Sequence, residues 1–342
     1  MKSAYQKIIN VLGDNRVKQN EILKNYTSLK IGGPADIFFK TQNIDDLILG
    51  IKTAQENKVD YFILGSGTNL LFSDNGFRGL VIKNETGVVR LKGLTGKRFL
   101  DQKKQNLVNK VYLEIDSGVT INRLVRNTID QGLQGAESFL GQPGTVGGAM
   151  WINAHNINSQ KFFGDLVRGA KIFSPNKGIS NVSQYYFHFG YDKSAIQKTK
   201  DVVLTVTLEL VSANKNDLWI AAKKALLYRQ KTQPHGVFSA GCLFKNIDKS
   251  DALRLATPDY SCSAGFLLDT AGLKGKSVGG AKFSDFHANF LINTGEAKSS
   301  DVLELIGLAR KKVNEKFGIN LELEVVIVGE NLKNNSYGKI YN

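Results

Sequence analysis

An α+β architecture with more than one core is what this sequence predicts, and three observations carry it. The chain has 342 residues, beyond the length at which one hydrophobic core keeps growing, so two or three domains are expected. A helical pattern at Ile44–Lys58 lies between the apolar runs Asp36–Phe39 and Tyr61–Leu64, a small β-α-β unit. Beyond residue 85 short apolar strands dominate with one helix among them, and from Asn216 helices and strands are mixed without strict alternation.

Taken in order, residues 1–25 read as a short amphipathic helix, with Tyr5, Ile8, Ile9 and Leu12 as its apolar side, followed by a polar connector. Gly32, Gly33 and Pro34 mark a tight turn before the strand DIFF. Apolar residues at 44, 47, 48 and 51 follow the i, i+3, i+4, i+7 spacing of a helix lying on a sheet. The strand Tyr61–Leu64 then runs straight into Gly65-Ser66-Gly67-Thr68-Asn69-Leu70. Strands GLVIKN, KVYLEID, VRGAKIFS and VVLTVTLEL make the middle of the chain mainly β, with a helix at Ile121–Gly132. Between them Lys92–Asn109 is polar, charged and without a period, and reads as a loop of no assigned role. A helix begins near Asn216, and another spans Ser299–Gly318 with a capping signal at Ser300 and Glu304. Leu321–Gly329 is the last expected strand.

Composition narrows the classes. Hydrophobic content of 42% and charged content of 22% are those of a soluble globular protein. The net charge of +14 attracts polyanions. No Arg/Lys run is interleaved with aromatics, and there is no zinc-finger spacing or helix-turn-helix signature, so phosphorylated small ligands fit better than nucleic acid. Cys242 and Cys262 form no CxxC pair, which indicates neither a disulfide framework nor a metal site. With no signal-peptide h-region and no run of about 18 apolar residues, a cytoplasmic protein without membrane contact is expected.

Two glycine-rich loops are the main chemical signal. Gly141, Gly144, Gly147 and Gly148 cluster around Pro143 and Thr145 just before an apolar run. Glycine at that density lets backbone N–H groups approach an anion with no Cβ in the way. A plain surface loop is the other reading of one such segment, but Gly65–Asn69 repeats the pattern. A pair of phosphate-type loops suggests a dinucleotide, whose pyrophosphate needs more donors than one turn supplies. A P-loop at Thr270–Ser277 fails because its first glycine is Thr270, and a GxGxxG reading of Gly65–Leu70 fails because the third glycine is Leu70.

In order, YTSLKIGGPADIFF, ILGSGTNLLFSDNGFRGLVI, GLQGAESFLGQPGTVGGAMWIN, FHFGYDKS, SAGCLFKN, GLKGKSVGGAKFSDFHANFLIN and LELEVVIVG resemble the bacterial UDP-N-acetylenolpyruvoylglucosamine reductases over Tyr26–Gly329. The resemblance implies an N-terminal segment 1–25 and a vanillyl-alcohol-oxidase-type FAD-binding domain over 26–211, with lobes at about 26–84 and 85–211. An α/β substrate-binding domain at 212–342 would follow, and a monomer is expected. It also implies an NADPH-dependent, FAD-mediated oxidoreductase of peptidoglycan precursor synthesis, turning the UDP-sugar UDP-N-acetylglucosamine enolpyruvate into UDP-N-acetylmuramate. The implied FAD contacts are Tyr26, Gly32, Gly33 and Pro34, then Gly65, Ser66, Gly67, Thr68, Asn69 and Leu70, then Gly141, Pro143, Gly144, Thr145, Gly147, Gly148 and Asn153.

The chemistry needs an acid for the carbon and partners for the developing enolate. The family's proton-donating serine position is Cys242, whose thiol, with a reference pKa of about 8.5, is still mostly protonated at neutral pH; a small buried cysteine beside a strand is the alternative. Glu324 matches the family's C-terminal glutamate, with Leu323 where a proline is usual. Glu322 and Glu324 would share one strand face and raise each other's pKa, or else form a solvent-facing stripe. Asp192 occupies an arginine position beside Tyr191, an inversion costing on the order of 4 kcal/mol at about 4 Å and an effective dielectric of about 20. Lys193 is the neighbouring cation, but on an extended segment it faces the other way. Asn153-Ala154-His155 replaces the usual Asn-Ala-Gly. Substrate contacts implied by resemblance are Tyr191, Arg229, Gln233, Lys245, Asn246, His287 and Asn289, with Arg229 readable as a surface charge and Asn289 as a turn residue. A FAD-binding paralogue without the reductase activity is the competing reading, motivated by Asp192.

Overall fold

Ile37 and Phe39 alternate with Phe38, so the strand that carries them has apolar side chains on both faces and its sheet is covered twice. The computed structural model describes residues 2–97, 108–156, 159–329 and 340–341. Its first lobe contains α1 (Lys2–Leu12), β1 (Val17–Ile22), β2 (Pro34–Thr41), α2 (Ile44–Glu56), β3 (Tyr61–Leu64), β4 (Leu70–Phe72) and β5 (Phe77–Asn84). The sheet order is β1-β2-β5-β3, antiparallel between β1 and β2 and parallel elsewhere. Ile8, Ile9 and Leu12 of α1 pack with Leu47 and Ile51 of α2 over Ile37 and Phe39. Phe38, Phe72, Phe77 and Val81 form the core of the opposite face. Asn43 starts α2 by accepting the Asp46 N–H at 2.8 Å.

The polar connector expected after the first helix is corrected: it contains β1. This edge strand leaves most of its residues in solvent, so its sequence VKQNEI carries no apolar alternation to betray it.

The second lobe holds β6 (Val89–Lys97), β7 (Val108–Asp116), α3 (Ile121–Asp130), β8 (Leu133–Gln134), α4 (Val146–Ile152), β9 (His155–Asn156), β10 (Lys161–Phe162), β11 (Val167–Ser174), β12 (Gly178–Ser183), α5 (Ile196–Thr199) and β13 (Val202–Ser212). Its antiparallel order is β12-β11-β13-β7-β6. The loop expected at 92–109 is corrected in part: β6 runs to Lys97, pairing Lys97 with Val108, while residues 98–107 lie outside the described residues. Exposed Leu91 and Leu94 on this edge strand, with lysine between them, blur the period. The helix α6 (Lys215–Thr232), expected to open the third region, buries Leu218 and Ala222 in the same core as β7 and β13.

After it come β14 (Phe238–Cys242), α7 (Lys249–Arg254), α8 (Ala264–Thr270), β15 (Ser277–Val278), β16 (Ala281–Phe283), β17 (Phe290–Asn293), α9 (Ser299–Phe317), β18 (Val326–Val328) and β19 (Ile340–Tyr341). The sheet β14-β17-β16-β15 packs on α8 and α9 through Leu267, Leu268, Val302, Ile306, Ala309 and Val313. The cap of α9 is not Ser300 with Glu304. Asp301 instead accepts the Lys298 N–H at 2.9 Å, and Asp74 of the first lobe accepts both the N–H and the hydroxyl of Ser299 at 2.8 and 2.7 Å. The expected last strand also divides. Only Val326–Val328 joins a ladder, parallel to β4 of the first lobe, whereas Leu323 bridges to Phe244 beside β14. Glu324 lies between these attachments, where two parts of the molecule meet. Among the described residues no helix is long and apolar enough to cross a membrane.

Candidate active site

The two glycine-rich loops face each other across a cavity of about 410 Å³. Gly65 through Leu70 line one side, and Pro143, Gly144, Thr145, Gly147 and Gly148 the other. Glycine is required where the loops close on their surroundings. A Cβ at Gly67, whose φ is +66°, would stand 2.1 Å from the Tyr26 carbonyl oxygen, and one at Gly65 would stand 2.7 Å from the Thr145 hydroxyl. Thr145 caps α4 by accepting the Gly148 N–H at 3.2 Å. Among the described residues no acceptor meets the amides of Ser66, Gly67 and Thr68. Free backbone donors beside a cavity suit a pyrophosphate, and apolar walls at Phe62, Trp151, Ile152 and Val203 suit ring systems. The donor set therefore fits FAD.

Gly67→Ala is expected to weaken FAD binding at least tenfold, because a left-handed alanine costs about 1–2 kcal/mol before the clash with Tyr26 is relieved. Flavin absorbance of the purified variant checks this, with melting temperature reporting whether the fold survives.

Six of the expected FAD contacts do not line the cavity. Tyr26 packs its ring on Phe38 at 4.4 Å and donates its hydroxyl to Glu21. The Gly32-Gly33-Pro34 turn serves close packing, since a Cβ at Gly33 would come within 1.9 Å of the Asp74 carbonyl oxygen. Gly141 donates its N–H to Asn122 at 2.7 Å. Asn153, at φ +52°, donates to the Gly190 carbonyl at 3.0 Å and accepts the Gly164 N–H at 2.9 Å. Asn84 and Ser117 line the cavity without having been expected there. Asn84 donates to the Ser117 hydroxyl at 2.8 Å, and the Ser117 carbonyl accepts the Gly147 N–H at 2.7 Å. Isolated small polar residues at strand ends give no sequence signal for this.

Beyond the tip of the first loop lies a cluster of acids. The Asn69 side chain donates to the Glu324 carbonyl at 3.1 Å, and the Asn69 carbonyl accepts the Val326 N–H at 3.0 Å. On its other side Glu324 donates its N–H to the carbonyl of Leu243, the residue after Cys242, at 3.0 Å. The loop that lines the cavity and the strand that carries the thiol thus hold Glu324 from both sides. Asn69→Ala is expected to lower turnover up to about tenfold, the worth of one net hydrogen bond of roughly 0.5–1.5 kcal/mol, while flavin content is retained. Single-turnover kinetics at matched flavin content checks it.

The expected pairing of Glu322 with Glu324 is corrected. Both Glu324 and Val325 direct their N–H groups at the Leu243 carbonyl, which breaks the two-residue alternation. Glu322 consequently faces solvent with its carboxylate 3.2 Å from Lys245 Nζ. Burial pushes the Glu324 carboxyl well above the ordinary range, the Asp192 carboxylate adds to this, and Lys245 opposes it. The Cys242 thiol is likewise raised by burial, then by Glu324 and Asp192, with Arg229 pulling the other way. Asp192 is pushed up to about 6 by burial, again opposed by Lys245. Burial also depresses Arg229 and raises the Tyr191 hydroxyl.

Asp192 sits in a turn closed by Gly190 and Lys193, at φ +48°, with 5% of its surface exposed. Lys193 faces solvent, and the cation that reaches the cluster is Lys245. Asn246 accepts the Ala264 N–H at 3.2 Å. Asn289 brackets the Phe244 backbone, donating to its carbonyl at 2.7 Å and accepting its N–H at 2.9 Å. His287 accepts the Asn289 N–H at 3.2 Å, and the Gln233 N–H closes α6 on the Arg229 carbonyl at 2.9 Å. Tyr191, Arg229 and Lys245 accordingly join the acid cluster, whereas Asn289 and His287 shape the strand that carries it.

The chain has clear relatives. The FAD binding domain family model matches residues 35–182, and that described as UDP-N-acetylenolpyruvoylglucosamine reductase, C-terminal domain, matches residues 233–328. The UDP-N-acetylenolpyruvoylglucosamine reductase of Anoxybacillus flavithermus is 35% identical over 314 residues, covering 92% of this chain and 94% of that protein. Its counterpart in Alkaliphilus oremlandii is 35% identical over 329 residues, covering 96% and 98%. The crystal structure of the Thermus caldophilus enzyme of that name superposes with a TM-score of 0.70 at 30% identity, over 91% of this chain and 98% of that one.

Proposed function

This chain belongs to the UDP-N-acetylenolpyruvoylglucosamine reductase family, and from that premise we propose that it reduces UDP-N-acetylglucosamine enolpyruvate to UDP-N-acetylmuramate with the Cys242 thiol as carbon acid. It is a flavin-dependent oxidoreductase of peptidoglycan precursor synthesis, with FAD as cofactor and NADPH as hydride source. One observation supports the assignment of roles above all: Cys242 and Glu324 are half-buried together, both biased toward their protonated forms, where the substrate-domain strand meets the loop lining the FAD cavity.

The chemistry supplied by bound FAD is hydride transfer from NADPH to the terminal carbon of the enolpyruvyl ether. The amides of Ser66, Gly67 and Thr68, together with those of Gly144 and Thr145 across the cavity, would hold its pyrophosphate. Cys242 gives its proton to the neighbouring carbon, and the thiolate that forms is stabilised by Arg229. Glu324, biased toward its neutral form by burial, donates a hydrogen bond to the oxygen on which enolate charge develops, a site worth most when water is excluded. Lys245 supplies positive charge to the same cluster, and Tyr191 contacts the substrate. We place the protein in the cytoplasm as a monomer, a state that sizing by light scattering tests.

The deciding experiment is anaerobic. NADPH is added to the yellow protein and flavin absorbance is followed with and without the enolpyruvyl nucleotide sugar. Stoichiometric reoxidation by the sugar is expected; reduction by NADPH with indifference to the sugar would sink the assignment in favour of a FAD-binding paralogue.

A further inference from the structure

Three polar atoms in this cleft are buried with no hydrogen-bond partner among the described residues: Nδ1 of His155 and both carboxylate oxygens of Asp192. Nδ1 stands 3.5 Å from Asp192 Oδ1, with the two side chains 14% and 3% exposed. The imidazole lies against Tyr191 at 4.8 Å and Phe162 at 5.7 Å between ring centroids. Nothing else among the described residues satisfies these atoms, and a buried carboxylate without donors is costly unless it is neutralised. The two residues come from separate segments, β9 and the turn at Gly190–Lys193.

We propose that His155 and Asp192 form a proton-holding pair, and that the cleft takes up one proton when it binds a ligand carrying a carboxylate beside the carbon that Cys242 protonates. The inference rests on the functional reading above, because that carbon bears the carboxylate directly. The titratable groups around the pair are Tyr191 and exposed Lys193 on its own turn, Lys245 and Cys242 on the β14 side, Glu324 before β18, and Arg229 on α6 through Cys242. Burial and the neighbouring charges bias Cys242 and Glu324 toward their protonated forms. Burial depresses His155, so its ring enters neutral, and Asp192 is the ionised group nearest its midpoint. A second anion brought into the same low-dielectric cluster disfavours ionised Asp192. A proton from solvent then bridges the carboxylate and Nδ1, the pair changes from −1 to neutral, and the ligand carboxylate is no longer opposed. His155 and Asp192 act as positioning residues; neither transfers a proton to carbon.

The test is calorimetric titration of the oxidised, FAD-loaded protein with UDP-N-acetylmuramate and with UDP-N-acetylglucosamine, which lacks the carboxylate, in buffers of different ionisation enthalpy at pH 7–8. Uptake of about one proton is expected with the first and none with the second, so that affinity for UDP-N-acetylmuramate falls about tenfold per pH unit while that for UDP-N-acetylglucosamine is flat. Asp192→Asn should abolish the uptake. Equal uptake with both ligands, no uptake by the unaltered protein, or uptake that survives Asp192→Asn would overturn the pair; the first two outcomes need no variant to fold. Failure of both nucleotide sugars to bind would instead overturn the functional reading, and the pair's role with it.

Discussion

Cys242→Ala is expected to lower the rate at which substrate reoxidises the reduced flavin by about 10²–10⁴-fold, the range for a positioned general acid, and to leave reduction by NADPH unchanged. The split follows from position. The thiol sits at the end of β14 among Glu324, Asp192 and Arg229, whereas the cavity is lined by other elements. Raising the thiol's pKa keeps the proton in place through the neutral pH range, and Arg229 offsets part of the cost of releasing it. Cys242→Ser should recover measurable turnover, because a hydroxyl of nearly the same size also carries a proton there. Rapid-mixing kinetics of the two half-reactions checks both. Equal slowing of both halves in Cys242→Ala would mean that the residue packs the site and does no acid chemistry.

Glu324→Ala is expected to cost about 10²–10³-fold in kcat, as loss of one oxyanion donor does. Glu324→Gln should cost far less, since an amide reproduces the neutral donor that the buried carboxyl provides. The pH profile separates the variants. Activity of the unaltered protein should fall as pH rises through the elevated Glu324 pKa, while Glu324→Gln shows no such limb. Stability moves the opposite way to that of an ordinary salt-bridged carboxylate. The folded chain holds a proton that the unfolded chain has lost above its pKa of about 4.3, so this group makes stability fall as pH rises from there toward the folded value. Glu324→Gln should accordingly melt above the unaltered protein at pH 7–8, by calorimetry. A lower melting temperature would show that Glu324 is ionised and paired in the folded state.

Several elements were legible because their signal is local. The i, i+3, i+4, i+7 spacing of α2, the strand β3 and the two glycine loops each declare themselves within a dozen residues, although the clashes that forbid a Cβ at 65 and 67 come from Thr145 and Tyr26, distant in the chain. Edge strands β1 and β6 leave no such signal, because one-sided burial on a sheet margin permits almost any polar residue. At the Gly32-Gly33-Pro34 turn, close backbone packing and ligand approach both demand glycine, and only the structure shows the packing against Asp74.

By itself the sequence determined the α+β class, the paired phosphate-type loops, the family and the identities of Cys242 and Glu324 as candidate acids. The tertiary structure decided which charges meet. Glu322 and Glu324, two residues apart, are separated by an irregular strand, while Asp192, distant in the chain, is the carboxylate that reaches Glu324 and shares its cleft with His155. Electrostatic coupling depends on distance and on the dielectric between groups, and both are properties of the packed chain, absent from the order of its residues.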